Sequence, residues 1–143
     1  MTKLLQRLSD PVKSGVYRAA HDLDIRAAAE GTAHDLADIT LARGKSEILA
    51  RIAKALGFPD WFGGNWDALE DSLTDLSWRQ GWARIFLFEG ARDSAADNDL
   101  GILIDVLSSA AEFWREQGRP FFAVFIDPEN RLKLPDLYRA KSR

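Results

Sequence analysis

Residues 56–73 read Leu56-Gly57-Phe58-Pro59-Asp60-Trp61-Phe62-Gly63-Gly64-Asn65-Trp66-Asp67-Ala68-Leu69-Glu70-Asp71-Ser72-Leu73. Gly57 with Pro59 just beyond it is a helix stop. Gly63 and Gly64 free the backbone for close approach or positive φ. Asn65 is a good N-cap and predicts a second helix running to about Leu76. On that helix Trp66, Leu69, Leu73 and Leu76 fall at i, i+3, i+7 and i+10, which makes a buried stripe. Asp67, Asp71 and Asp75 fall at i, i+4 and i+8 and make a separate exposed stripe, with Glu70 beside it.

Charge sharpens the reading. Between Ala55 and Trp78 there is no lysine and no arginine, yet the span carries Asp60, Asp67, Glu70, Asp71 and Asp75. Asp67 lies in the first turn, where the helix dipole favours an anion by about 0.3–1 kcal/mol. Asp71 and Asp75 have no such support. They stand in like-charge i,i+4 pairs, each costing about 0.2–0.5 kcal/mol. The stripe is therefore either a solvated face or a surface kept for a basic partner. Trp66 is assigned to the core, and Trp61 fits either a core position or a binding edge.

Working outward, Lys45–Leu56 is an amphipathic helix with Ile48, Leu49, Ile52, Ala55 and Leu56 on one face. Glu47 and Arg51 form an i,i+4 pair on the other side. Before it, residues 34–39 alternate as a short half-buried strand. Ala83–Glu89 and Phe121–Ile126 read as buried strands, the second central. Leu100–Gln117 is the longest helix, with Leu103, Val106, Leu107, Ala110 and Trp114 on its apolar side. Ala91–Ala96 reads as a short helical turn. Met1–Arg7 is a short helical or frayed start, and Gly15–Ala20 is a weak strand candidate. Residues 22–31 are alanine-rich with no clean period. The tail Arg131–Arg143 is basic and is expected to dock loosely. This order of strands and helices requires parallel strands with crossovers. The expected fold class is α/β: a three-stranded, mostly parallel sheet packed with helices, in a two-layer or three-layer sandwich.

A chain of 143 residues favours a single core. Its net charge of −3 speaks against nucleic acid as main ligand, because phosphate binding needs clustered Lys and Arg. No apolar run approaches the roughly 20 residues that span a bilayer. Residues 1–6 lack a signal peptide's apolar stretch. Without cysteine there is no disulfide and no thiolate zinc site. A cytoplasmic protein is expected.

The run 56–73 resembles the barstar family, intracellular inhibitors of the ribonuclease barnase. The family pattern Leu-x-x-Pro-acid-aromatic-aromatic-Gly-x-Asn-x-Asp-Ala-Leu-x-Asp-x-Leu is kept in every element. The element order from about Ala33 to Ile126 is similar to that fold. The resemblance divides the chain into an N-terminal extension (1–30), a barstar-like domain (31–127) and a C-terminal tail (128–143).

The resemblance implies a monomeric inhibitor, not an enzyme, with no cofactor and no metal. Its partner would be a basic, barnase-like ribonuclease, with no direct contact to nucleic acid or membrane. Asp71 would be the central phosphate mimic and Asp67 a flanking charge. Trp61 would stand where the family has an aromatic that stacks on the catalytic His. Asn65 and the Gly63 backbone would sit at the rim, and Glu70, Thr74 and Asp75 complete the partner-binding set. A carboxylate suits this role because it accepts charge-assisted, bidentate hydrogen bonds from Arg. Three positions depart from the family: Glu70 and Leu76 replace aromatics, with Trp78 nearby. An acid expected on the long helix aligns near Phe113, with Glu112 and Glu116 as neighbours.

Two other classes remain open. The same face could serve a basic partner that is not a nuclease. Asp67 and Asp71 could also form a shallow metal or hydrolase site, but carboxylates one turn apart on an exposed stripe lack opposed, cleft-lining geometry. His21 and His34 lie in the weakly patterned N-terminal part and read as surface or core residues.

Overall fold

Phe121–Ile126, the most hydrophobic run in the chain, lies inside the sheet with a strand on each side. The computed structural model describes residues 2–60, 62–91 and 97–138. Its elements in chain order are α1 (Thr2–Leu8), a 3-10 turn (Pro11–Lys13), β1 (Gly15–Ala19), α2 (Leu23–Ala29), β2 (His34–Thr40), α3 (Lys45–Leu56), α4 (Trp66–Leu73), β3 (Ala83–Glu89), α5 (Asp97–Glu116) and β4 (Phe121–Ile126). The sheet order is β1-β4-β3-β2, and every pairing is parallel.

The sheet has four strands, not the three expected. The fourth is Gly15–Ala19, whose short half-buried pattern carries little signal alone but pairs along its whole length with β4. Residues 91–96, expected as a helical turn, lie almost wholly outside the described residues.

Both faces of the sheet are covered, which explains why β3 and β4 read as unbroken apolar runs. Phe86 and Phe88 of β3, with Phe121, Ala123 and Phe125 of β4, face α3, α4 and α5. Ile85, Leu87, Phe122 and Val124 point the other way, onto Leu4, Leu8, Ile25, Ala28, Ala29 and Leu137. The result is a three-layer α/β/α sandwich. Residues 23–29 form a helix because Ile25, Ala28 and Ala29 fall on one buried face. His34 joins the layers, its Nε2 lying 3.1 Å from the Leu8 carbonyl and its Nδ1 2.8 Å from Thr32 Oγ1. His21 is exposed.

The tail is docked more firmly than its composition suggests. Arg18 N donates to Pro135 O and Leu137 N donates to Arg18 O, each at 2.9 Å, so residues 135–137 run along the free edge of β1. That covers an edge which would otherwise expose unpaired backbone groups. Leu137 is fully buried. Arg18, itself buried, pairs with Asp127 and Asp136. Burial pushes the Asp127 carboxyl up. Hydrogen bonds from Arg131 N, Leu132 N and the Arg18 guanidinium outweigh that and hold it below its ordinary value.

Candidate functional site

The end of α3 and the start of α4 are each fixed by a residue the chain supplies locally. Gly57 closes α3 in the left-handed conformation, with φ 67° and ψ 39°. Asn65, extended at φ −135° and ψ 175°, accepts a hydrogen bond from Ala68 N at 2.7 Å and caps α4. Between them Gly64 has φ 72°, which only glycine adopts freely. Gly63 has no such requirement; a Cβ there would meet ordinary contacts at 3.5 Å and beyond.

Aromatic packing seats this loop on the body. Phe58 meets Phe62 edge-on at 4.9 Å and Trp78 edge-on at 5.8 Å between ring centroids. The Trp78 indole donates to Leu56 O at 3.0 Å. On α4 itself Leu69 and Leu73 are fully buried, and Leu76 beyond it likewise. Trp66 packs half-buried against the same core.

The opposite side of α4 is carboxylate. Asp67, Glu70 and Asp71 are exposed on the helix and Asp75 is exposed beyond it. None of the four forms an ion pair among the described residues. Several acids nearer the sheet are matched by arginines: Asp22 and Asp38 by Arg26, Asp35 by Arg79 and Arg84, Asp127 and Asp136 by Arg18.

The helix is shorter than expected. It closes at Leu73, and Leu76 turns into the left-handed region at φ 53°. The turn lets Leu76 enter the core while the chain heads for β3. Asp75 therefore stands in a turn, its Oδ1 accepting from Ser77 N at 3.3 Å, and does not extend a straight i, i+4, i+8 stripe. Thr74 caps the end, its hydroxyl donating to Glu70 O at 3.0 Å and Asp71 O at 3.2 Å. Trp61 lies outside the described residues. Of the rest, Gly63, Asn65, Asp67, Glu70, Asp71, Thr74 and Asp75 are brought together on one loop-and-helix surface. On α5, Phe113, Glu112 and Glu116 are all exposed.

An ion-pair group beside the turn that follows α4 carries no motif in the sequence. Asp35 of β2 sits in register with Arg84 of β3. It takes two hydrogen bonds of 2.7 Å from Arg79. That bidentate bond raises the Arg79 guanidinium above its ordinary value. Burial, followed by the nearby charge of Arg119, pushes Arg84 down to about 10, with Asp35 working against them. The available signal was a lone arginine inside an otherwise apolar strand, Ala83–Glu89.

The region from just before β2 to the end of β4, residues 33–126, matches the family model described as Barstar (barnase inhibitor). The chain belongs to the barstar family. No curated protein matches it individually. The family match takes in α3, α4 and α5 with three strands of the sheet. It leaves out the edge strand β1 and also α1, α2 and Leu137, which cover the second face. Among the described residues, no helix is long and apolar enough to cross a membrane, and no group of three His, Asp or Glu side chains could hold a metal ion.

Proposed function

We propose that this protein is an inhibitor of a barnase-like ribonuclease and not an enzyme. It blocks the nuclease cleft with α4 and the loop before it. The observation that carries this reading is the exposure of Asp67, Glu70 and Asp71, free of ion pairs among the described residues, on the helix of a barstar-family fold. A cleft that grips RNA phosphate is lined with Arg, Lys and His. Carboxylates presented on a rigid helix accept hydrogen bonds from the same groups. Asp71 is assigned the central phosphate position, with Asp67 and Glu70 flanking it. Gly63, Asn65, Thr74 and Asp75 frame the contact, and Trp61 is assigned to it from the sequence pattern alone. A ridge of one sign also speeds encounter with a basic protein. The inhibitor would work as a monomer in the cytoplasm, its residues 31–127 forming the inhibitory domain, flanked by 1–30 and 128–143.

The test is cleavage of a fluorogenic RNA by a purified barnase-type ribonuclease with increasing inhibitor. Activity falling to zero at one inhibitor per enzyme supports the reading. Undiminished cleavage at micromolar excess contradicts it and leaves the acidic face to a basic partner of another kind.

A further inference from the structure

The trailing end of α4 has no glycine stop. Leu76 carries the left-handed turn itself, a conformation that is strained for a residue with a Cβ. Two donors from other elements reach this end. The indole N–H of Trp114, on α5, donates to Leu73 O at 2.8 Å, a buried bond. Nη2 of Arg84, on β3, reaches Leu76 O at 3.4 Å. The two donors are themselves in contact. The Arg84 guanidinium lies 5.3 Å from the Trp114 ring centroid, and Arg119 lies 5.0 Å from it. Arg119 is tied down by Gly81 O at 2.6 Å and Trp82 O at 3.0 Å.

Arg84 is a poor choice for stability alone. It is 3% exposed, its Nε has no hydrogen-bond partner, and that nitrogen lies 3.7 Å from Asp35 Oδ2. A buried cation this poorly satisfied gains little over an apolar side chain of the same size. Its position is more informative. Its Nη2 reaches the carbonyl of Leu76, in the turn that follows the last residue of α4.

We propose that Trp114 and Arg84 are positioning residues for the acidic ridge. Their N–H groups fix the trailing end of α4, and with it the angle at which Glu70 and Asp71 meet a basic partner. This inference rests on the reading of α4 as the nuclease-binding helix.

Two variants test it. Trp114→Phe keeps a ring for the two guanidinium groups and removes the indole donor. Arg84→Met keeps the packing and removes the charge. Association and dissociation rates with a barnase-type ribonuclease are measured at 25 °C, where the variants are folded by circular dichroism. Hydrogen exchange is followed at Thr74, Asp75 and Leu76, whose amides close the end of α4. Loss of one buried hydrogen bond predicts dissociation faster by about tenfold for Trp114→Phe. The association rate should stay unchanged, because the steering acids are intact. Arg84→Met should speed dissociation without lowering the melting temperature. Both variants should exchange faster at the three amides. A fall in melting temperature with wild-type dissociation and exchange would make these residues merely structural and overturn the proposal. If wild-type protein binds no such nuclease, the inhibitor reading fails on its own, and unchanged exchange would then overturn the positioning role.

Discussion

The carboxylates around the sheet and those on α4 are the same chemical groups in opposite situations. Asp35 and Asp127 are buried or nearly so, and every oxygen of theirs has a donor: the Arg79 guanidinium for Asp35, backbone amides and Arg18 for Asp127. Asp67, Glu70 and Asp71 face solvent with no internal ion pair among the described residues. The first group joins segments distant in sequence, so folding depends on it. The second adds like-charge repulsion to an eight-residue helix, and only Asp67, in the first turn, gains from the helix dipole. The difference separates what this protein uses to fold from what it offers to a partner.

Truncating acids in the two regions should therefore give opposite results. The largest effect is expected from Asp35→Ala. It leaves Arg84 buried with no countercharge and frees Arg79, which should cost about 3 kcal/mol or more in chemical denaturation. A loss below about 1 kcal/mol would show that the buried pair matters no more to folding than the exposed acids do.

Acid titration gives the next effect. The folded-state pKa of Asp127 lies below its ordinary value of 3.8. Its contribution is therefore complete above that value and disappears as pH falls through the folded pKa. Wild-type stability should drop over that acidic window, and Asp127→Asn should flatten the drop while lowering stability at pH 7. Parallel pH profiles for the two proteins would contradict the assignment. At the alkaline end, burial, followed by the charge of Asp24, raises the Tyr138 hydroxyl to about 12. The stability it contributes is present below its ordinary value of 10.0 and is lost as pH rises through about 12, so Tyr138→Phe should resist base better than wild type.

Smaller still is Ser72→Ala. Ser72 is fully buried on the inner side of α4, and its Oγ has no hydrogen-bond partner among protein groups. Removing an unsatisfied hydroxyl should leave stability unchanged or raise it by up to about 1 kcal/mol, read from the melting temperature. A loss greater than that would mean the hydroxyl is satisfied in solution.

Much of this was legible in the sequence where local rules act alone. Lys45–Leu56 was readable at both ends because Gly57 and the apolar period agree, and Asn65 named its own capping role. Ala83–Glu89 and Phe121–Ile126 are long enough in apolar residues to be read as strands buried on both faces. Gly15–Ala19 became a strand only because β4 was there to pair with it. Residues 23–29 became a helix because the sheet's second face needed Ile25, Ala28 and Ala29. The end of α4 escaped because its stop is Leu76, a residue with no helix-ending preference, held by Trp114 and Arg84 from distant elements. The exposed acids were legible as a charge pattern. Their freedom from internal partners was not, since any of the chain's arginines could have folded back onto them.

The most direct test of this division is Asp71→Ala, measured twice: affinity for a barnase-type ribonuclease by titration calorimetry, and thermal stability of the free protein. The account predicts affinity weaker by more than about 1 kcal/mol, from loss of a charge-assisted hydrogen bond, with a melting temperature unchanged or slightly higher. Unchanged affinity with a lowered melting temperature would place Asp71 among the acids that serve folding, and would contradict it.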